Sequence, residues 1–215
     1  MQRLRITFSR GEEVKYISHL DVMRLWERAL RRADIPMAYS QGFSPHPKIS
    51  IAAPLPIGVT SDGELMDILI RKRVSPYYFI KAVGEQLPRG IGILRVEQVA
   101  LTLPSLQSQI RQSEYWVEVA TDKRVEEVET DLRSFLAAKQ LPWQHQRDTE
   151  VRHYDLRPLV DHLWLVGWHE SGCTLGMRLR ADSTATGRAE QVTAALGFSD
   201  RPRVIHRTKL ILAGI

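Results

Sequence analysis

Cysteine and long apolar stretches are what this sequence has least of. The 215 residues include one cysteine, Cys173, which excludes an internal disulfide framework and any metal or iron–sulfur site built from several cysteines. No apolar run approaches the roughly 18–20 residues that a membrane-spanning helix needs. Arg3, Arg5 and Arg10 interrupt the first apolar residues, unlike the apolar core of a secretory signal peptide. We therefore expect a cytoplasmic protein with no membrane partner.

The composition is otherwise that of a globular protein, but its charge is uneven. Hydrophobic residues make up 43% of the chain and charged residues 26%, for a net charge of +5. Residues 1–105 contain 15 Lys+Arg and 10 Asp+Glu, whereas residues 106–215 contain 15 of each. The excess positive charge lies in the first half, where it favours attraction to a polyanion such as a nucleic acid.

Apolar periodicity predicts an alternation of strands and helices in the first half. Leu4–Phe8 alternates apolar and polar residues, as a strand with one buried face does. A helix is predicted to begin after Ser18, with Ser18 as its N-cap, and a second helix to open at Ser75-Pro76. With the strands that lie between and after these helices, the predicted order is strand, helix, strand, strand, helix, strand.

The second half repeats this order after a predicted linker at 104–112. Its second and third strands are expected to form a hairpin that turns near Ser171-Gly172. A βαββαβ unit of about 100 residues is the ferredoxin-like fold. We therefore predict an α+β protein of two tandem ferredoxin-like units, a basic domain at 1–105 and a neutral domain at 106–215.

The loop at 36–48 contains the densest group of polar and aromatic side chains, and it follows a helix rich in arginine. Its prolines fix the backbone, so we expect an ordered loop. Aromatic rings stack on unpaired bases and cations meet phosphates, so this mixture suits a nucleotide or single-stranded RNA. The predicted binding residues are Arg24, Arg28, Arg31, Arg32, Tyr39, Ser40, Gln41, Phe43, Ser44, His46 and Lys48.

His19 and His46 are the candidate catalytic residues. If the loop folds over the helix, these histidines and Asp21 could act as acid and base or converge on a metal ion. A purely structural explanation is also open, in which Ser18 and Asp21 only cap the helix. The remaining histidines lack the spacing of a zinc motif, so no metal and no cofactor is predicted. They are His145, His153, His162 and His169.

Several runs of residues resemble a known family. They are Tyr-Ile-Ser-His-Leu-Asp-Val-Met-Arg at 16–24, Arg-Ala-Leu-Arg-Arg-Ala at 28–33, Ala-Tyr-Ser-Gln-Gly-Phe-Ser-Pro-His-Pro-Lys-Ile-Ser at 38–50, and Tyr-Asp-Leu-Arg-Pro at 154–158. They resemble the radical-SAM-linked proteins, a bacterial domain family often fused to, or encoded beside, a radical SAM protein. The resemblance implies a radical SAM partner and a role related to RNA or translation. Within the last run, we expect a contact between Asp155 and Arg157 that fixes a loop.

The lone cysteine bears on this resemblance, because a radical SAM enzyme holds its cluster with three cysteines. Any cluster would therefore belong to another polypeptide. The leading hypothesis is a non-catalytic accessory module that binds RNA, or another substrate, for a radical SAM partner. One alternative is a metal-independent RNA endonuclease of the CRISPR repeat-processing type, although the glycine-rich loop of those nucleases is missing near 209–212. Another is a protein-interaction domain that docks on the radical SAM enzyme. No DNA partner is expected.

Overall fold

Helices and mostly antiparallel strands alternate along the chain, which is therefore a mixed α+β protein, as predicted. The computed structural model describes the backbone of residues 1–147 and 150–214, and the side chains of 1–144 and 151–214. The chain divides into two compact units, Met1–Ile110 and Arg111–Ile215. Within the described residues, no helix combines the length and the apolar character needed to cross a membrane.

Unit 1 is a sheet with helices, and its strands pair in the order β4-β1-β3-β2. The three pairings, β1 with β3, β1 with β4 and β2 with β3, are antiparallel. The elements are β1 (Gln2–Arg10), α1 (His19–Arg32), β2 (Ile49–Ile51), β3 (Thr60–Ile70), α2 (Pro76–Gly84), β4 (Ile91–Val99) and the short α3 (Leu106–Gln109).

The two long helices of unit 1 begin where their caps predict. The Ser18 hydroxyl accepts a hydrogen bond from the Asp21 backbone N–H at 3.2 Å, so Ser18 is confirmed as the N-cap of α1. Ser75 caps α2 in the same way. One face of α1 is buried, and its Trp26 ring meets the Phe8 ring of β1 edge-on, with the centroids 5.1 Å apart. Burial of this face holds α1 against the sheet.

The segment after β4, predicted to be a linker, belongs to unit 1. Arg3 donates from Nη1 to the Leu103 carbonyl at 2.7 Å, and Gln107 donates from Nε2 to the Ile51 carbonyl at 2.9 Å. Residues 106–109 form α3, with Ser105 as its N-cap. The predicted boundary between residues 105 and 106 thus falls at the start of a helix that contacts β2, whereas unit 1 ends at Ile110.

Unit 2 has a sheet in the order β10-β5-β9-β8 and a separate two-stranded hairpin of β6 and β7. Strands β8 and β9 pair antiparallel, with His169 opposite Gly172, which confirms the predicted turn near Ser171-Gly172. The elements are β5 (Ile110–Ala120), α4 (Val125–Ala137), β6 (Pro142–Arg147), β7 (Glu150–Asp155), β8 (Val160–His169), β9 (Gly172–Arg180), α5 (Ala189–Ala195) and β10 (Val204–Leu212).

The hairpin of β6 and β7 is absent from the predicted order of elements, and its last residue, Asp155, makes the expected contact with Arg157. This contact is confirmed, but it uses the backbone: Asp155 Oδ1 accepts from the N–H groups of Arg157, at 3.0 Å, and Leu141, at 2.7 Å. The Arg157 guanidinium instead donates to the carbonyls of Leu136 and Val160. These bonds fix the chain between α4 and β8.

Candidate nucleic-acid interface

The loop at 36–48 is a hairpin anchored to the last residues of β3. The Ala38 N–H donates to the Leu69 carbonyl at 2.8 Å, and the Leu69 N–H donates to the Lys48 carbonyl at 3.0 Å. Nearer the tip, the Ser40 N–H donates to the His46 carbonyl at 2.9 Å, and the His46 N–H donates to the Ser40 hydroxyl at 3.0 Å. The proline-rich loop is therefore ordered by backbone hydrogen bonds, which leave residues 41–45 as its tip.

Phe43 is fully exposed at the tip of this hairpin. It follows Gly42, whose φ of +129° lies where side chains rarely go, so a glycine is needed to turn the chain there. The predicted neighbours Gln41 and Ser44 are exposed as well. An exposed ring on an ordered tip adds nothing to the core, but it is free to stack on another molecule.

The four arginines of α1 have different surroundings. Arg24 forms an exposed ion pair with Asp21 at 3.4 Å, and Arg32 donates from Nη2 to the Gln86 carbonyl at 2.6 Å. Arg28 and Arg31 are exposed on the outward face of α1, and among the described residues neither forms a salt bridge with a carboxylate. Arg28 and Arg31 are thus the arginines of α1 best placed to meet an anionic partner.

Three cations that sequence reasoning missed follow the end of β3. Arg71, Lys72 and Arg73 are exposed, and the Arg71 guanidinium lies over the Tyr39 ring, 5.9 Å from its centroid. The Pro36 carbonyl accepts a hydrogen bond from the Arg71 N–H at 2.8 Å, so this run meets the base of the hairpin. The signal was the run of three basic residues itself, but its position beside the loop depends on the pairing of the loop with β3.

The end of α1, the hairpin and the residues after β3 come together at one end of unit 1, and each exposes cations or aromatic rings. We call this area the basic hairpin surface. It consists of Arg28, Arg31, Tyr39, Phe43, Lys48, Arg71, Lys72 and Arg73. A cavity of about 430 Å³ lies within it, between the end of α1, the base of the hairpin and the residues after β3. The surface combines exposed rings with positive charge, as sites for single-stranded nucleic acids do.

The two candidate catalytic histidines lie at opposite ends of α1. His19 is the first residue of this 14-residue helix, which is about 20 Å long at 1.5 Å per residue. His46 lies in the hairpin that follows the other end of α1. The base of that hairpin, at Ala38 and Lys48, pairs with Leu69 of β3. The segment before His19 instead contacts the residues before β3, since the Gly58 N–H donates to the Lys15 carbonyl. The fold therefore places His19 and Asp21 at one end of α1 and His46 beyond the other end, so the three residues do not converge as predicted.

The start of α1 is organised as a helix cap. The Ser18 hydroxyl donates to Asp21 Oδ2 at 2.7 Å, and this hydrogen bond, together with nearby Arg24, lowers the pKa of the Asp21 carboxyl. Asp21 thus stays ionised at the positive end of the helix dipole. Among the described residues, no group of three or more His, Cys, Asp or Glu side chains could hold a metal ion.

Comparison with known proteins places the chain in a family. The family model described as "Uncharacterized protein conserved in bacteria (DUF2344)" matches residues 3–189. The chain belongs to this family. The DUF2344 match covers unit 1 from residue 3 onward and most of unit 2, including the basic hairpin surface. No curated protein is significantly similar to the chain in sequence.

Solved structures share the fold of this DUF2344 chain at low sequence identity. A chain of a Cbf5-Nop10-Gar1 complex is 10% identical over 97% of this chain and 48% of its own length, with a TM-score of 0.52. A chain of an H/ACA RNP bound to a substrate RNA is 11% identical over 97% and 47%, with a TM-score of 0.50. The DUF2344 chain thus spans about half the length of these solved chains, and the likeness concerns the fold alone.

Proposed function

We propose that the chain is an RNA-binding module that contacts RNA through the basic hairpin surface of unit 1. The observation that carries the proposal is the contact of the Arg71 guanidinium with the Tyr39 ring, on a hairpin that also exposes Phe43 and Lys48. Cations alone would suit any polyanion, whereas exposed rings beside them suit unpaired bases. Single-stranded RNA supplies both groups in one molecule.

The charge of unit 1 supports this choice of ligand. The net charge of +5 lies within residues 1–105, and residues 106–110 add no charged side chain. Among the described residues, Arg28, Arg31 and Lys48 form no salt bridge with a carboxylate, so phosphates would not have to displace an internal partner. The occurrence of a similar fold in a chain from an RNP bound to a substrate RNA is consistent with RNA as the ligand.

We also propose that the module has no catalytic activity of its own and serves a radical SAM partner. The support for the partner is the resemblance of the runs at 16–24 and 38–50 to radical-SAM-linked proteins. The support for a non-catalytic role is the separation of His19 from His46 by the length of α1. In this proposal the module holds the RNA, and the partner performs the reaction.

We further propose that each unit is a ferredoxin-like domain. In unit 1, β1-α1-β2-β3-α2-β4 follows the βαββαβ order, and its sheet order is β4-β1-β3-β2. The main sheet of unit 2 has the corresponding order, β10-β5-β9-β8, with the β6–β7 hairpin as an insertion between α4 and β8. The agreement of element order with strand order supports two tandem units of this kind.

The test is RNA binding across a salt series. Fluorescence anisotropy would measure the affinity of the full chain for a labelled single-stranded RNA between low and physiological salt. In the Lys48→Ala, Lys72→Ala double variant, we expect weaker binding and a salt slope smaller by about 1.4, since each lost phosphate contact on a single strand removes about 0.7. The matched control removes two exposed cations of unit 2, Lys139→Ala with Arg201→Ala.

Four results would count against parts of the proposal. No salt-dependent RNA binding by the full chain would overturn RNA as the ligand. An equal loss in the control double variant would overturn the location. Cleavage of the labelled RNA in the presence of a chelator, abolished by His46→Ala, would overturn the non-catalytic role in favour of the nuclease. Co-purification of a radical SAM protein from the source cell tests the partner, and its failure to co-purify would count against the partnership.

A further inference from the structure

The cavity within the basic hairpin surface has an apolar floor and charged walls. Leu30, Ile35 and Met37 form the buried floor, and Tyr39 stands at one side. We call this cavity the α1 groove. Its charged lining residues are Glu27, Arg31, Asp34, Arg71 and Lys72. Its volume of about 430 Å³ is in the range of sites for small organic ligands.

Asp34 enters this groove from a backbone position that usually belongs to glycine. Its φ is +51°, and it is the one described non-glycine residue with a positive φ. The Asp34 N–H donates to the Arg31 carbonyl, at 3.2 Å, and the Ile35 N–H donates to the Leu30 carbonyl, at 3.1 Å. This is the hydrogen-bond pattern of a Schellman helix end, in which glycine is the common residue at the left-handed position. Aspartate is one of the few non-glycine residues that adopt this conformation, and here its side chain lines the groove.

The charged side chains of the groove do not pair with one another in the described part of the chain. In the described part of the chain, no salt bridge joins Glu27 or Asp34 to Arg31, Arg71 or Lys72. Arg71 lies over the Tyr39 ring instead. The groove therefore offers two carboxylates as acceptors, a ring beside a cation, and further cations at its rim. A ligand that satisfies all of these must have neighbouring N–H donors, a flat aromatic face and an anionic group.

We propose that the α1 groove binds one guanine nucleotide of single-stranded RNA. Guanine presents two adjacent donors, N1–H and the N2 amino group, on its Watson–Crick edge, and the carboxylate of Asp34 accepts them as a pair. The base stacks on Tyr39, and its phosphate lies against Arg71 and Lys72. Adenine has an acceptor at N1, and uracil has a single N–H between two carbonyls, so neither fits a carboxylate as well.

This inference rests on the proposed RNA binding, and the experiment separates the two. The probes are labelled eleven-nucleotide oligouridylates whose central base is uracil, adenine, guanine or hypoxanthine, which lacks the N2 amino group. For the unchanged chain, we expect the guanine probe to bind about tenfold more tightly than the adenine probe, in line with the discrimination of a bidentate base contact. The hypoxanthine probe should fall between them.

The decisive variant is Asp34→Asn, because asparagine tolerates the left-handed backbone and keeps the size of the side chain. We expect it to remove the guanine preference while binding all-uridine RNA at least as tightly, since a negative charge near the phosphates is lost. The matched control is Glu85→Gln, which removes an exposed carboxylate of unit 1 outside the groove and should keep the preference.

The outcomes distinguish failure of the guanine site from failure of RNA binding. If all four probes bind equally, or if Asp34→Asn keeps the guanine preference, the guanine site is wrong while RNA binding stands. If no probe binds, the proposed function fails and the guanine site fails with it. Equal loss of affinity for every probe in Asp34→Asn, with a lower melting temperature, would show that Asp34 serves the fold and would overturn its role in base recognition.

Discussion

Arg3 of β1 holds Asp67 of β3 in a buried, two-pronged contact. Its Nε and Nη2 atoms lie 2.9 and 2.6 Å from Asp67 Oδ2, and both side chains are about nine-tenths or more buried. Arg5 donates to the same carboxylate, from Nε to Oδ1 at 2.8 Å. One aspartate therefore compensates two buried guanidinium groups. The Arg3 guanidinium also donates to the Leu103 and Pro104 carbonyls, so this contact joins the segment after β4 to the sheet.

Replacing Asp67 should strongly destabilise unit 1. Asp67→Ala leaves the guanidinium groups of Arg3 and Arg5 buried without their anion, and breaking a buried pair in this way costs about 3–5 kcal/mol. Urea unfolding of the full chain measures the change in the free energy of unfolding. Glu12→Gln is the control, because it breaks an exposed, solvent-screened pair with Lys15 and should cost far less than Asp67→Ala. Similar losses in both variants would contradict this account.

Gly176 in unit 2 has no room for a side chain, because the indole of Trp164 lies directly on it. Gly176 of β9 is flanked by Trp116 of β5 and Trp164 of β8 in one cross-strand row, and a Cβ atom at Gly176 would overlap the Trp164 ring. We expect Gly176→Ala to displace this ring and to destabilise the chain by about 1–3 kcal/mol. Near-ultraviolet circular dichroism and thermal unfolding would report both effects.

The matched glycine control is Gly84 at the end of α2. Nothing lies within 4 Å of the position of its Cβ, so Gly84→Ala should be neutral or stabilising, by up to about 1 kcal/mol. Combining Gly176→Ala with Trp164→Ala should cost less than the sum of the single changes, because the overlap disappears with the ring. Additive losses would show that the overlap is not the cause.

Much of this fold could be predicted because its signals are local. Ser18 and Ser75 are side-chain N-caps that mark the starts of α1 and α2. Apolar residues recur at helical spacing along both helices. The α3 helix in the predicted linker is only four residues long, too short for a repeating pattern. It is held by contacts such as Gln107 to Ile51, which join residues far apart in sequence. Such contacts leave no periodic trace in either segment.

The candidate site also has a part that the sequence predicts and a part that depends on contacts between distant segments. The residue types of the loop at 36–48 identified it, but its hairpin form depends on hydrogen bonds to Leu69 of β3. The sequence alone does not place Arg71 at the site, because only this pairing brings it over the Tyr39 ring. The motif predicts that His19 and His46 converge, but their separation is set by α1 and β3 rather than by the spacing of the motif.

The thiol of Cys173 predicts how stability depends on alkaline pH. Burial raises the pKa of this thiol from 9.0 to about 11. The raised pKa means that the folded chain keeps its proton where the unfolded chain loses it, so this contribution is complete below about pH 9 and is lost as the pH rises towards 11. Unfolding free energies between pH 8 and pH 10.5 should fall more steeply for the unchanged chain than for Cys173→Ala. Parallel profiles would contradict the shift.

Phe43 offers the cleanest separation of binding from stability. Because its ring is fully exposed, Phe43→Ala should change the free energy of unfolding by less than about 0.5 kcal/mol. If the ring stacks on a base of bound RNA, the same change should weaken binding by about 1–3 kcal/mol, with little change in the salt slope because no charge is removed. Anisotropy titration and thermal unfolding of the same preparations would measure both quantities.

The control for Phe43 is Tyr16, an exposed ring beside the start of α1, at the end of that helix remote from the hairpin. Tyr16→Ala removes a comparable aromatic surface without touching the basic hairpin surface, so RNA affinity should stay unchanged. Phe43→Tyr should retain most of the affinity, since a phenol ring stacks as a phenyl ring does. If Tyr16→Ala and Phe43→Ala weaken binding equally, the hairpin tip is not the place where bases stack.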